Sequence, residues 1–288
     1  MTTGFRKASL GGLVLHYLDA TRTATCVRSM LREGFAPILV WDNSGDGGRS
    51  VGELKDIIFP GDGVIYEGIN LNIGFAAGVN RGLDVLSETH PGRPVLLLNN
   101  DAVLIEGAGH SFRAAASKYP EAAVFYPKID NIGRVAGTTY YQVLLGLLTR
   151  RRLPWSVAHA SGCCMLIQAW NVEGAVFDED FFMYGEDVEL GHRLQSQDRP
   201  MVHIPLVLVV HEGSASSGMA SEFYESRMIA AHLILARKLT GREVVYWALL
   251  VSRCASLSIR AILRALRYRS TVPISALIGG VRIMLGRA

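Results

Sequence analysis

The sequence predicts an α/β protein, with a mostly parallel central sheet flanked by helices and a basic helical C-terminal extension. Three observations carry that expectation. Over the first hundred residues short apolar runs alternate with helix-patterned stretches, the order that produces a parallel sheet covered by helices. Several apolar runs end abruptly in acids and amides, at the strand ends where such sheets collect ligands. Charge then changes sign along the chain: residues 227–288 hold 11 Lys+Arg against the single acid Glu243, a net +10, leaving a net −7 in residues 1–226.

Taken in order, strands are predicted at Gly12–Tyr17, Pro37–Trp41, Val64–Tyr66 and Val95–Leu98, with helices at Ala24–Glu33 and Phe75–Leu86. The pattern weakens from Ile105 to Pro154, where Ala108–Lys118 reads as a helix, Ala122–Pro127 as a strand and Gly146–Arg152 as a flexible basic loop. A second group follows, with strands at Ala160–Gln168 and Val207–His211 and a helix from Glu186 to Gln197. From Ser221 the chain reads as helical, broken near Gly241 and at Pro273, where proline removes a helix donor. These readings divide the chain into a ligand-binding region, 1–220, and a helical basic region, 221–288.

Composition narrows the class. With 288 residues, 49% hydrophobic and 19% charged, the chain is neither disordered, collagen-like nor coiled coil. Cys26, Cys163, Cys164 and Cys254 form no CxxC pair and no metal-ligand spacing, so reduced thiols are expected. Residues 1–9 lack the apolar core of a signal peptide, and the longest apolar run of the tail, Val244–Ser252, stops at Arg253, short of a membrane span. The expectation is a cytoplasmic protein, associated peripherally with the inner face of the cell membrane.

The motifs lie at strand ends. Asp42-Asn43-Ser44-Gly45-Asp46-Gly47 follows a strand and is either turn chemistry or a loop presenting carboxylates. Leu96-Leu97-Leu98-Asn99-Asn100-Asp101 ends a buried strand in two amides and an acid; a lone carboxylate with positions left open for phosphate oxygens suits Mg²⁺ beside a nucleotide. Asn72 to Gly82 opens a helix with glycines that admit close backbone approach, but it is not the dinucleotide fingerprint. Phe177-Asp178-Glu179-Asp180-Phe181-Phe182-Met183-Tyr184-Gly185-Glu186-Asp187 leads into a helix whose first turn carries Asp187, an acidic helix start or a working carboxylate. His211, opening His-Glu-Gly-Ser-Ala-Ser after an apolar strand, is a metal ligand or a strand terminator.

In this combination and order the five blocks resemble the inverting glycosyltransferases of family two, with the GT-A fold, and are closest to bacterial rhamnosyltransferase-like members that build surface polysaccharide. The resemblance runs from about Gly12 to about Lys238. It implies that Asp42 and Asp46 grip the base and ribose of a nucleotide-sugar and that Asn72, Gly78 and Asn80 line its site. It implies further that Asp101 and His211 hold Mg²⁺ or Mn²⁺ at the donor diphosphate, with Asn99 near the ribose, and that Asp187 is the base. Asn99 stands where many relatives have an aspartate and Glu189 replaces another. A dTDP- or UDP-sugar is the implied donor, with dTDP-rhamnose preferred; the acceptor is a saccharide or polyprenyl-linked saccharide.

On a helical projection of the tail, Arg253, Arg260, Arg264 and Arg267 form one stripe opposite Val251, Ala255, Ile259, Ile262 and Leu266. That pattern fits a helix lying in an anionic membrane surface through 241–288, its arginines drawn to headgroups. Packing on the catalytic region or on another subunit, including a homo-oligomer, is the alternative. Arg150-Arg151-Arg152 contacts an acceptor diphosphate or is a solvated run. Nucleic acid is not expected, since no recognition motif accompanies the charge. Two other functions stay open: a sugar-phosphate nucleotidyltransferase, against which the missing N-terminal glycine-rich phosphate loop counts, and an inactive nucleotide-sugar-binding assembly subunit.

Overall fold

A computed structural model describes residues 9–61, 63–212 and 221–286. The chain forms two compact units that interleave in sequence. The first comprises the described residues of Met1–Thr138, Ala160–Phe177 and Leu194–Gly213, the second those of Thr139–His159, Asp178–Arg193 and Ser214–Ala288. The units therefore do not follow a single boundary at residue 220: a hairpin region and the start of a helix group with the C-terminal helices.

The first unit contains β1 (Gly11–His16), α1 (Ala20–Arg32), β2 (Ile38–Asp42), α2 (Arg49–Ile57), β3 (Val64–Gly68), α3 (Phe75–Thr89), β4 (Val95–Leu98), β5 (Ala102–Leu104), α4 (Ala108–Lys118), β6 (Val124–Asp130) and β7 (Val135–Ala136). The second then contributes β8 (Thr139–Gln142), β9 (Leu147–Thr149) and β10 (Ser156–His159). The chain returns to the first unit for β11 (Cys164–Ile167), and α5 (Glu186–Ser196) starts among the residues of the second and ends among those of the first. Then come β12 (Met201–His211), α6 (Glu222–Lys238), α7 (Glu243–Tyr268) and α8 (Val272–Met284).

Among the described residues the first unit holds a nine-stranded sheet in the order β3-β2-β1-β4-β11-β6-β12-β5, with β7 on β6. β1 to β4 are parallel, as the alternation predicts. β11 and β5 run antiparallel to their neighbours, so the sheet is mixed, although β6 and β12 are again parallel. The core is apolar on both faces: Leu13, Ile38, Val40, Leu96 and Leu98 are fully buried, and Met30 of α1, Phe112 of α4 and Phe35 of the turn after α1 cluster with Ile38, Val40, Leu96 and Leu98. The carboxyl ends of β1, β2, β3, β4 and β12 lie along one sheet edge, because the antiparallel β11 restores the direction between β4 and β6.

In the second unit, β10-β8-β9 forms a small antiparallel sheet. Part of the expected flexible loop, Leu147–Thr149, is thus a strand paired to β8. The helical tail is interrupted just before Pro273, between α7 and α8, and Pro273 sits in the first turn of α8, where its fixed φ and missing N–H are tolerated.

The tail corrects one expectation outright. Three of the four arginines of the α7 stripe face the protein: Arg253 is 0% exposed and donates to the Val143 carbonyl, Arg260 donates to His232 at 3.0 Å, and Arg264 pairs with Glu225, while Arg267, in the last turn, is exposed. The apolar stripe faces out, with Val251 70%, Ile259 58% and Leu266 73% exposed. The reason is partnership. Glu225, His232 and the ring of Tyr141, over which the Arg253 guanidinium lies 5.0 Å from the centroid, compensate guanidinium groups better than Val or Ile would. No helix among the described residues is long and apolar enough to cross a membrane.

Candidate functional site

In the first unit the loops after β2 and β3 are laced together by amides. Asn43 donates to the Gly74 carbonyl at 3.1 Å and to Asn72 Oδ1 at 3.2 Å, while its own Oδ1 accepts from Ile73 N at 3.1 Å. Asn72 Oδ1 also accepts from Gly74 N at 3.0 Å, so that side chain shapes the loop that opens α3. Asn70 Oδ1 accepts from Gly47 N at 2.8 Å. Asp42, buried at the end of β2, accepts from Ser44 N at 3.0 Å. Asp46 Oδ2 accepts from Ser50 N at 3.0 Å, and Oδ1 is buried without a hydrogen-bond partner among the described residues. Burial opposes ionisation of Asp46, but the Ser50 hydrogen bonds and the Arg49 charge outweigh it and hold the carboxyl below its usual range.

Beneath these loops lies a buried polar network that sequence spacing does not reveal. His16, at the end of β1, contacts Thr23 Oγ1 at 2.8 Å and Ser50 Oγ at 3.0 Å. Ser50 donates to Ser44 Oγ at 3.1 Å, and Asn100 Nδ2 donates to Thr23 Oγ1 at 3.3 Å. Burial lowers the pKa of His16 despite Asp42 and Asp46 nearby, so the imidazole serves as a neutral connector tying the ends of β1, β2 and β4 to α1 and α2.

Gly78 is buried where α3 meets β1. A Cβ there would lie 3.0 Å from Leu15 Cδ2 and 3.5 Å from Asn43 Oδ1, so the glycine lets the helix approach the strand and the loop amide. Asn80 is also buried and exchanges two hydrogen bonds with the backbone of Phe177, donating at 2.8 Å and accepting at 3.0 Å. That pairing fixes the start of the acidic aromatic segment. Asn80→Ala is expected to destabilise the fold by about 2–4 kcal/mol, since the N–H and C=O of Phe177 lose their partners in the interior. Urea unfolding measures it, and a loss below about 0.5 kcal/mol would show that the pairing contributes little.

Asn99, Asn100 and Asp101 form the turn after β4, with the Asn99 carbonyl accepting from Ala102 N at 3.1 Å. Register places His211 of β12 opposite Ala102 of β5, and His211 Nε2 lies 3.2 Å from Asp101 Oδ1. His211 Nδ1 meets Asn131 Oδ1 at 2.9 Å, and Asn131 is oriented by its Nδ2, which donates to the Ile129 and Arg134 carbonyls. An amide oxygen only accepts, so Nδ1 carries a hydrogen. Nε2 then points at the Asp101 carboxylate, and the two side chains are close enough for one cation to contact both. Adjacent ligands of an octahedral ion are about 3 Å apart, and the outer hydrogen bond on Nδ1 is the usual support of a ligating histidine. Asp101 and His211 therefore fit a divalent ion as a pair; among the described residues no group of three or more His, Cys, Asp or Glu could hold one. The remaining residues of the His-Glu-Gly-Ser-Ala-Ser block, 213–216, lie outside the described residues.

In the second unit, Gly185 has φ +92, a backbone region that favours glycine, immediately before α5. The helix opens on Glu186 and Asp187. Asp187 is partly exposed, its side chain at 21%; Oδ1 accepts from Val188 N at 2.8 Å and Oδ2 lies 3.4 Å from Nδ1 of the buried His159. Glu186 differs sharply. It is buried, Oε2 has no hydrogen-bond partner among the described residues, and burial together with the Asp187 charge raises its carboxyl to about 8. Glu189 is bound to Arg193 Nε at 3.0 Å. Of the three acids in this turn, only Asp187 is both partly exposed and oriented by a histidine. His159 was invisible to sequence reasoning, lying 28 positions away on another element. Lys238 pairs with Asp178 at 2.6 Å and Asp180 at 2.5 Å, tying the acidic segment to α6.

No protein-family model matches the chain. It is 27% identical over 279 residues, covering 84% of this chain and 89% of the relative, to the N-acetylglucosaminyl-diphospho-decaprenol L-rhamnosyltransferase of Mycobacterium tuberculosis, in strains CDC 1551 / Oshkosh and ATCC 25618 / H37Rv. Among solved structures it resembles S. aureus TarS 1-349, with a TM-score of 0.56 and 13% identity, covering 97% of this chain and 82% of that one. It also resembles the mannosyltransferase PcManGT of Pyrobaculum calidifontis, solved with GDP-Man and Mn²⁺, with a TM-score of 0.52 and 13% identity, covering 96% and 86%. The chain has the GT-A glycosyltransferase fold and is a homologue of the mycobacterial rhamnosyltransferases.

Proposed function

We propose that this protein is an inverting glycosyltransferase that moves a sugar from a nucleotide-sugar to a hydroxyl of a lipid-linked saccharide during bacterial surface polysaccharide synthesis. Rhamnose from dTDP-rhamnose is the preferred donor, supported by the name of the mycobacterial relative. The observation that carries the reading is the Asp101–His211 pair at the sheet edge, beside the loops that hold Asp42 and Asp46. The first unit would hold the nucleotide: the orphaned Asp46 Oδ1 is a buried acceptor suited to a hydroxyl. Asp101 and His211 would hold a divalent ion, which when bound neutralises charge developing on the departing diphosphate.

Asp187 is the base in this reading. As the acceptor hydroxyl attacks the anomeric carbon, its proton passes to the Asp187 carboxylate. His159 Nδ1, facing Oδ2, and Val188 N, facing Oδ1, hold that carboxylate in one orientation. A single displacement inverts the anomeric centre and needs no carboxylate nucleophile.

Thermal unfolding with Mn²⁺ and dTDP, UDP or GDP tests the donor side. A nucleotide at about 100 times its Kd stabilises by about 2.7 kcal/mol, which moves the transition of a chain this size by several degrees. The expected result is a shift that requires the metal, is largest with dTDP, and loses its metal dependence in both Asp101→Ala and His211→Ala. No shift with any nucleotide in folded protein would sink the donor assignment, and metal dependence persisting in both variants would move the ion elsewhere.

A further inference from the structure

The outward face of α7 is unusual for a surface helix. Between Val244 and Leu266, about 33 Å along the axis, no exposed residue is charged; Val244, Trp247, Val251, Ile259, Ile262 and Leu266 all face out. A second exposed apolar group sits on the β8–β9 hairpin and the segment after it, where Leu148 is 53% and Trp155 75% exposed. The two are fastened together: Ser252 Oγ donates to the Leu144 carbonyl at 2.7 Å, and Arg253 donates to the neighbouring Val143 carbonyl. An exposed apolar, uncharged surface of this extent marks a binding face.

We infer that the outward face of α7, with the hairpin from Leu144 to Trp155, inserts into the outer apolar layer of an anionic lipid bilayer. Charge selects the occupant. Exposed Arg150, Arg151, Arg152, Arg267 and Arg269 border the surface, residues 139–159 contain no acid, and Glu243 is engaged with Arg237. A second copy meeting this face through a two-fold contact would set arginine against arginine, whereas anionic headgroups complement the rim while acyl chains cover the apolar strip. Insertion is therefore driven by apolar area, with the inward arginines of α7 serving packing rather than lipid. The inference deepens the reading of a membrane-borne acceptor, but its test needs no transfer.

Cys254 lies on this face and is the exposed member of the four free cysteines, so an environment-sensitive fluorophore attached there reports insertion directly. With vesicles of phosphatidylcholine and phosphatidylglycerol the emission should shift to the blue and brighten, and the shift should persist at high salt. Ile259→Glu with Ile262→Glu should weaken vesicle binding at least about tenfold, as should Leu148→Glu with Trp155→Ala, and exposed positions should leave the thermal transition unchanged. Binding abolished by salt, or undiminished in both double variants, would overturn the inference. So would a concentration-dependent shift without vesicles accompanied by doubling of mass in sedimentation equilibrium. Nucleotide binding measured on the same samples separates the two proposals: retained donor binding without insertion sinks this one alone.

Discussion

Asp187→Asn is expected to lower sugar transfer by about a thousandfold while leaving nucleotide affinity within about twofold of the parent, since no residue of the donor loops is changed. Asparagine is nearly isosteric: its oxygen can still accept from Val188 N, so α5 and its packing should survive. What disappears is the carboxylate proposed to accept the proton. Neither neighbour can replace it. Glu186 is buried and keeps its proton to about pH 8, and Glu189 is engaged with Arg193. Steady-state transfer to a lipid-linked acceptor, paired with titration of the nucleotide, reads both quantities. Full transfer in the variant would remove Asp187 from the role of base. A parallel loss of nucleotide affinity would assign it to donor binding instead.

Much of the first unit was legible because its signals are local. β4 and α4 have the bounds that their apolar run and helical periodicity give, and α3 begins at the predicted Phe75. The polar blocks fall at strand ends because a buried strand must stop where backbone and side chains return to solvent. Antiparallel β11 was read as a strand but not by direction, since an apolar run such as Cys164–Ile167 carries no information about which neighbour it meets. Asn80 shows the same limit from the site's side: an amide inside a glycine-rich helix start reads like a ligand contact, yet its partner is a backbone 97 positions away.

Helical projection met a deeper limit in α7. Periodicity separated an arginine stripe from an apolar stripe correctly, but it does not say which stripe faces in. That choice rests on Glu225, His232, Tyr141 and the Val143 carbonyl, none of them adjacent in sequence. Arg253 is buried against a ring and a carbonyl, and Arg264 is turned inward by a carboxylate. Tyr141 and Val143 lie in the stretch from Ile105 to Pro154 where the sequence pattern weakens, and β8 was not read there, so the information that decides the sidedness of α7 was missing.

Glu186→Gln is expected to change the pH dependence of stability strongly on the alkaline side. The carboxyl titrates ordinarily near 4.5 and in the folded protein near 8, raised by burial and then by the Asp187 charge. Between those values the folded state holds a proton that the unfolded state has released, so the stabilisation from a neutral, buried Glu186 is complete below about pH 4.5 and is lost as pH rises through about 8. The span corresponds to something on the order of 5 kcal/mol. Glutamine has the same shape and never ionises. The variant should match the parent within about 1 kcal/mol at pH 5 and exceed it by several kcal/mol at pH 9, as urea unfolding across that range would show. Parallel curves for the two proteins would mean that Glu186 is ionised in the folded state and that the acidic turn is more open than its burial implies. Asp187→Asn supplies the cross-check, because removing the neighbouring charge should shrink the parent's slope without abolishing it, leaving the larger share that burial alone imposes.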